Sequence, residues 1–325
     1  MQTWFNLPQA RQRLNDLGRL RIPTLFIFSY DKSQIYIQPI ENLDSDIYYK
    51  LHATHNYTPP LRSHTPTTLE ITPPTIQEYS KAFKRVISHI KDGNTYLLNL
   101  TFQSQILSNL ELEEIFYRSK AKFKLYFKGE FICFSPERFI QIQNDTIATY
   151  PMKGTIDATL ANAKECILSN QKELAEHVMI VDLMRNDLGI VATNVQVENF
   201  RYIDKIKAGD KSLLQVSSKI TATLQKEWHE KLGDILCDIT PAGSITGTPK
   251  RKTMEIIQEV ENYQRGFYTG IFGVYDGKGV DSGVMIRFID KQKGKLYYKS
   301  GGGITIDSKL DKEYKELVEK IYLPF

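Results

Sequence analysis

Two hydrophobic periods run through the chain. In TIQEYSKAFKRVISHIKDGN, the apolar positions Tyr79, Phe83, Val86, Ile87 and Ile90 recur at helical spacing, predicting an amphipathic helix that stops at Gly93. NQKELAEHVMIVDLMRNDLG predicts a longer helix, with Leu174, Val178, Val181, Met184 and Leu188 as one stripe and Gly189 as its end. PAGSITGTPKRKTMEIIQEVE predicts a third, capped by Thr248, with Pro249 at its first position and Met254, Ile257 and Val260 facing inward. DKEYKELVEKIYL predicts a last one. Elsewhere the period is two: AKFKLYFKG sets Phe123, Leu125 and Phe127 against lysines. TLFIFSYDKSQIYIQPI reads as two strands about a turn at Tyr30–Ser33, and EFICFSPERFIQIQ and TIATYPMKG flank a turn signal at Asn144-Asp145. A turn over residues 144–146 sets Glu137 opposite Lys153. A two-residue turn sets Glu137 opposite Met152 and sends Lys153 to the other face; the sequence leaves both registers open. FYTGIFGVYDGKG, SGVMIRFID and KLYYKSGGGITID are glycine-punctuated strands. Hairpin-like strand runs with helices between them predict an α+β fold with largely antiparallel sheets.

The 325 residues fit two domains or one large one, and 41% hydrophobic with 25% charged residues is an ordinary globular balance. Residues 1–72 form a short N-terminal segment expected to pack on a main unit of 73–325, joined through the Pro- and Thr-rich THNYTPPLRSHTPTTLEITPPT. The net charge of +4 comes from 42 basic and 38 acidic residues without a basic stripe, which argues against nucleic acid and suits an anionic small molecule. Cys133, Cys166 and Cys237 have neither disulfide nor metal spacing, no signal-peptide core precedes them, and no apolar run reaches membrane-spanning length. The expectation is a soluble cytoplasmic protein.

Several clusters carry candidate chemistry. Glu173 and Glu176 lie three apart on the long helix, and Glu313 and Glu316 repeat the spacing on the last, with Lys320 one turn on. Four carboxylates on two helices suit a hard divalent cation; solvated helix faces are the alternative. AGSITGTPK offers the hydroxyls of Ser244, Thr246 and Thr248 and backbone N–H groups to an anion, or is simply a turn leading into a helix. The three glycines of KSGGGITID allow close approach of a ligand, without the spacing of a nucleotide loop. Arg287, inside the apolar VMIRFI, demands a carboxylate from the protein or from a ligand. His177 beside Glu176 reads as structural. Lys153, before a glycine in a turn, is a solvated charge, a phosphate hook or a nucleophile.

In this order, FSPERF, YPMKGT, KELAEHVMIVDLMRNDLG, GSITGTPKRKTMEII, RGFYTGIFG, VMIRFID, GGGITIDS and KEYKELVEK resemble the chorismate-utilising enzymes. The resemblance runs from about residue 73 to the C-terminus. It implies stacked antiparallel sheets around a central cleft, as in anthranilate synthase component I. It also implies Mg²⁺ held by Glu176 and Glu316 with Glu173 and Glu313 in support, the metal in turn holding the ring carboxylate of chorismate. Tyr268 and Arg287 fall where relatives contact the enolpyruvyl carboxylate, Gly301 and Gly303 at backbone donors, Lys320 near the metal-bound carboxylate, and Ser244 where many place a Thr hydroxyl. Lys153 stands where anthranilate synthases usually carry alanine, and the lysine-type aminodeoxychorismate branch uses it as a nucleophile, with Glu137 as acid. Leu97 replaces the water-activating lysine of isochorismate and salicylate synthases, and Gln215 replaces a common His. The implied reaction transfers nitrogen to chorismate, giving 4-amino-4-deoxychorismate for folate biosynthesis. Burial and Mg²⁺ are expected to push Lys153 down in pKa, and burial to push Glu137 up. With no glutaminase signature in the chain, ammonia is expected from a glutamine amidotransferase partner. A chain ending at Phe325 is also expected to lack a fused lyase. The alternatives are anthranilate synthesis, a non-catalytic chorismate-binding subunit, and a purely electrostatic Lys153.

Overall fold

The hairpin signals resolve into two large antiparallel sheets in a computed structural model that describes residues 3–60, 66–208 and 211–325. Part of the predicted Pro/Thr connector, residues 61–65, lies outside the described residues. The ten-stranded sheet runs from the N-terminal strands through Ile271–Tyr275, Val280–Val284, Arg138–Gln143 and Thr146–Thr149 to Lys211–Thr223, which also pairs Met152–Asp157 and Thr193–Ala208. The nine-stranded sheet centres on Leu97–Ser108, Lys295–Ile304, Phe288–Gln292, Phe131–Ser135 and Phe123–Phe127. Residues from before position 73 enter both: Thr24–Phe28 pairs with Ile271–Tyr275 in the first, and Ile47–Leu51 with Phe123–Phe127 in the second.

A shared core glues the sheets face to face. Leu25, Ile27, Phe272 and Val274 from one meet Leu125, Phe127, Phe131 and Phe288 from the other, nearly all fully buried. At about 25 cal/mol per Å² of apolar surface removed from water, such a layer is the main force holding the sandwich shut. Helices pack on both sheets, and Ile76–Lys91 lies against Leu97–Ser108 and Lys295–Ile304 of the nine-stranded one. Ile76–Lys91 begins with a capping box, Thr75 accepting from Glu78 N while the Glu78 side chain accepts from Thr75 N, and it ends before Gly93 as predicted.

Four expectations need correction. First, Gln143 pairs with Thr146, so Asn144-Asp145 is a two-residue turn, with Asn144 at φ 54° as such turns require. The hairpin stops there; Met152–Asp157 pairs with Lys211–Thr223, so Glu137 and Lys153 are not cross-strand neighbours. Second, the long helix continues through Gly189 to Val191, and Val178 is exposed. The helix packs against strands on one side and against Leu232–Ile239 and the Gly243–Ile245 turn on another. Its buried face therefore carries Glu176, His177 and Asp187 among the apolar residues, which blurs the stripe. Third, Pro249 rather than Thr248 occupies the cap position of Lys250–Val260, because Thr248 pairs with Leu97 as a short strand. Fourth, Lys124 points inward under helix Leu112–Arg118, its Nζ donating to Phe116 O (2.6 Å) and Ser119 O (3.0 Å). Desolvation pushes its pKa down to about 7.

Candidate active site

The chain crosses between the sheets at two adjacent points. Pro136 and Glu137 link Phe131–Ser135 of one sheet to Arg138–Gln143 of the other, and Met285–Arg287 link Val280–Val284 back to Phe288–Gln292. The crossings are tied together by Val284 N–H to Glu137 O and Phe134 N–H to Arg287 O, both 3.1 Å. Residues in a crossing have left the ladder, so their side chains are free to project between the layers. Glu137 and Arg287 do so into a cavity of about 440 Å³, within the range of about 300–1,000 Å³ usual for small-molecule sites. Arg287, expected inside a strand, sits instead in this bend at φ 52°. Among the described residues no carboxylate pairs with it; its Nε donates to Tyr322 Oη at 3.4 Å.

The twelve residues to which the resemblance gives a catalytic, substrate or metal role all line this cavity: Glu137, Lys153, Glu173, Glu176, Ser244, Tyr268, Arg287, Gly301, Gly303, Glu313, Glu316 and Lys320. The long helix supplies Glu173 and Glu176, and Leu310–Glu319 supplies Glu313 and Glu316. Lys153 Nζ donates to Glu176 Oε2 at 3.1 Å, and Lys320 Nζ pairs with Glu316 at 2.6 Å while donating to Gly301 O at 2.7 Å. Glu137 Oε1 accepts from Ser244 Oγ at 2.5 Å. Leu97 and Gln215 line the same space. Of the AGSITGTPK hydroxyls, those of Ser244 and Thr246 belong to residues lining the cavity, Thr246 Oγ1 donating back to Ala242 O and Gly243 O, while Thr248 lies outside it.

Two glycines are needed where they stand. Gly154, next to Lys153, has φ 85°, and a Cβ there would lie 3.2 Å from Glu173 Oε2. A Cβ on Gly303 would crowd Leu97 Cδ1 (3.2 Å) and Lys153 Nζ (3.4 Å).

Electrostatics separate the acid from the amine. Burial pushes the Glu137 carboxyl above its usual range, outweighing the opposing Ser244 hydrogen bond and the charges of Lys153, Arg287 and Lys320. At Lys153 the protein's own carboxylates dominate. Desolvation acts to lower it, but Glu176, Glu316 and Glu173 outweigh that and hold the ammonium above its ordinary value. Burial wins at Lys320, whose pKa falls.

Sequence reading missed the scaffold behind these groups. Arg265 is buried and pairs with Glu261 through Nε (2.8 Å) and Nη2 (2.6 Å), while Nη1 donates to Ile245 O and Nη2 to Asn99 O. Asp187 accepts from Gly243 N–H (3.1 Å) and from Lys250 (2.5 Å). The charge of Asp187 inside the long helix was a signal available in the sequence. His177 is buried, its Nε2 2.6 Å from Ser218 Oγ, in agreement with a structural role.

Comparison with known proteins agrees with this geometry. The chorismate binding enzyme family matches residues 2–324. An uncharacterized PabA-like protein of Haemophilus influenzae is 48% identical over 96% of this chain and 95% of its own. Aminodeoxychorismate synthase component 1 of Salmonella typhimurium is 32% identical over 93% of this chain and 70% of its own. The menaquinone-specific isochorismate synthase MenF of Escherichia coli shares the fold, with a TM-score of 0.74 at 16% identity, over 98% of this chain and 82% of its own. The chain belongs to the chorismate binding enzyme family.

Proposed function

We propose that the protein converts chorismate and ammonia to 4-amino-4-deoxychorismate, with Lys153 as nucleophile and Glu137 as general acid. The observation that carries the reading is an amine and a burial-raised carboxyl facing one cavity, with Leu97 where a water-activating lysine would stand. The Lys153 amine forms a bond to C2 of chorismate, two ring double bonds shift, and the C4–O bond breaks. The hydroxyl leaves as water with the Glu137 proton. Ammonia then bonds to C4, the double bonds return, the C2–N bond to Lys153 breaks to release the neutral amine, and the new C4 ammonium returns a proton to Glu137. Each displacement is easier than a direct exchange of hydroxyl for ammonia at C4, and ring unsaturation is unchanged.

Arg287, Tyr268 and Lys320 all line the cavity, and in this reading Arg287 and Tyr268 receive one substrate carboxylate and Lys320 the other. The donor set fits a hard cation in kind, being four carboxylates. The bare face of Gly302 leaves a cradle toward Glu316, Lys320 and Glu313. Among the described residues the acidic groups do not already converge as a metal cluster. Mg²⁺ on Glu176 and Glu316, supported by Glu173 and Glu313, would supply positive charge for a substrate carboxylate and oppose the field that holds Lys153 protonated. Neutral ammonia is scarce near pH 7, so a glutamine amidotransferase partner is the proposed source.

Incubation with chorismate, Mg²⁺ and ammonium, followed by product identification, tests the reading. 4-Amino-4-deoxychorismate supports it; anthranilate or isochorismate as the sole product overturns it.

A further inference from the structure

Among the described residues the Glu137 carboxylate accepts one side-chain hydrogen bond, from Ser244 on the three-residue turn Gly243–Ile245, a turn whose exit is tied to strand Leu97–Ser108 by Asn99 N–H to Thr246 O at 2.8 Å. Buried charges hold it at both ends as well. At its start Gly243 N–H donates to Asp187 Oδ2, and the other oxygen of Asp187 accepts from Lys250 Nζ. At its finish the Ile245 carbonyl accepts from Arg265 Nη1 and from Asn99 Nδ2. Gly243 lies so close to the long helix that a Cβ would fall 2.4 Å from Met184 Cε and 2.7 Å from Leu183 Cγ. That closeness is what lets Asp187, one helical turn further along, reach the amide.

Stability alone does not ask for this arrangement. Replacing a buried ion pair by apolar side chains is often neutral or stabilising, because desolvating two charges offsets their attraction. A hydrophobic contact would pin the helix to the turn without fixing the direction of an amide. A carboxylate hydrogen-bonded to that amide fixes both, and so aims the next side chain. We infer that Asp187, held by Lys250, is a positioning residue that acts on catalysis through the Gly243–Ile245 turn, by setting the Ser244 hydroxyl on Glu137. The inference rests on the proposed role of Glu137 as acid.

A double-mutant cycle between Asp187→Ala and Ser244→Ala tests it. Steady-state chorismate consumption is measured with Mg²⁺ and ammonium. Asp187→Ala is expected to lower kcat about 10–100-fold with little change in chorismate KM, since small misplacements of a reacting group cost rates of that order. On the Ser244→Ala background it is expected to cost less than about threefold more. Asp187→Asn, which keeps an oxygen for Gly243 N–H, should recover most of the rate. Asp187→Ala leaves Lys250 without its carboxylate, so the charge-free Asp187→Ala/Lys250→Met pair provides a second cycle if the single variant does not fold. Multiplicative losses in both backgrounds, or a loss confined to KM, would overturn the inference. Scoring consumption keeps the two questions apart: a product other than aminodeoxychorismate overturns the proposed reaction, while the cycle still reports whether Asp187 acts through Ser244.

Discussion

Lys153 and Glu137 illustrate how one cavity treats two titratable groups differently. Both are drawn out of water, yet the carboxyl rises in pKa through that desolvation while the amine is overruled by three carboxylates around it. A general acid works only while protonated, so turnover should fall as pH rises through the elevated Glu137 pKa. The Ser244 hydrogen bond opposes the elevation. Ser244→Ala should therefore move that alkaline limb upward, in the pH dependence of kcat/KM, even as it lowers the maximum. A limb that stays put would separate Glu137 from the titration. Glu137→Gln removes the proton donor while keeping the shape, and should lower kcat by about 10²–10⁴-fold with chorismate still binding; a variant within a few-fold of wild type would exclude the acid role.

Secondary-structure elements were legible where their neighbours were local. Helix Ile76–Lys91 has one buried face and a capping box, and its pattern predicted it closely. The long helix has two sides packed, and its buried polar residues serve the site and the turn behind it, so a single apolar stripe misplaced Val178. The turn at Asn144-Asp145 was correctly located, but its register depends on strands more than fifty residues away, which no local pattern encodes. Arg287 read as strand because the chain switches sheets beside it, and both flanking segments are apolar. The site residues were found by resemblance to chorismate-utilising enzymes; periodicity alone did not join two helices, two crossings and a glycine strand. Gly154 shows the element-level constraint directly. At φ 85° beside Glu173, Gly154→Ala should cost about 1–2 kcal/mol in denaturant unfolding and displace Lys153. Unchanged stability would show that the turn relaxes freely.

At the scale of the whole molecule, the first and last parts of the chain are interleaved. Helix Leu7–Arg19 packs beside His229, whose Nδ1 lies 2.8 Å from Tyr275 Oη, and that hydroxyl also donates to Gly18 O. No helix among the described residues is long and apolar enough to cross a membrane. Burial pushes His229 down to about 4. An unfolded His protonates near about 6.5, so between there and about 4 the unfolded state holds more protons, and stability should drop as pH falls through that window. His229→Gln should flatten the drop in urea unfolding followed against pH; an unaltered slope would assign it elsewhere. The interleaved core also sets Lys153 in the cavity wall, and the proposed covalent route can be tested there directly. Intact-protein and peptide mass spectrometry after incubation with chorismate and Mg²⁺, without ammonia, should find Lys153 heavier by chorismate less one water, an adduct absent from Lys153→Ala and discharged by ammonium. No adduct, together with full aminodeoxychorismate formation by Lys153→Ala, would contradict the account.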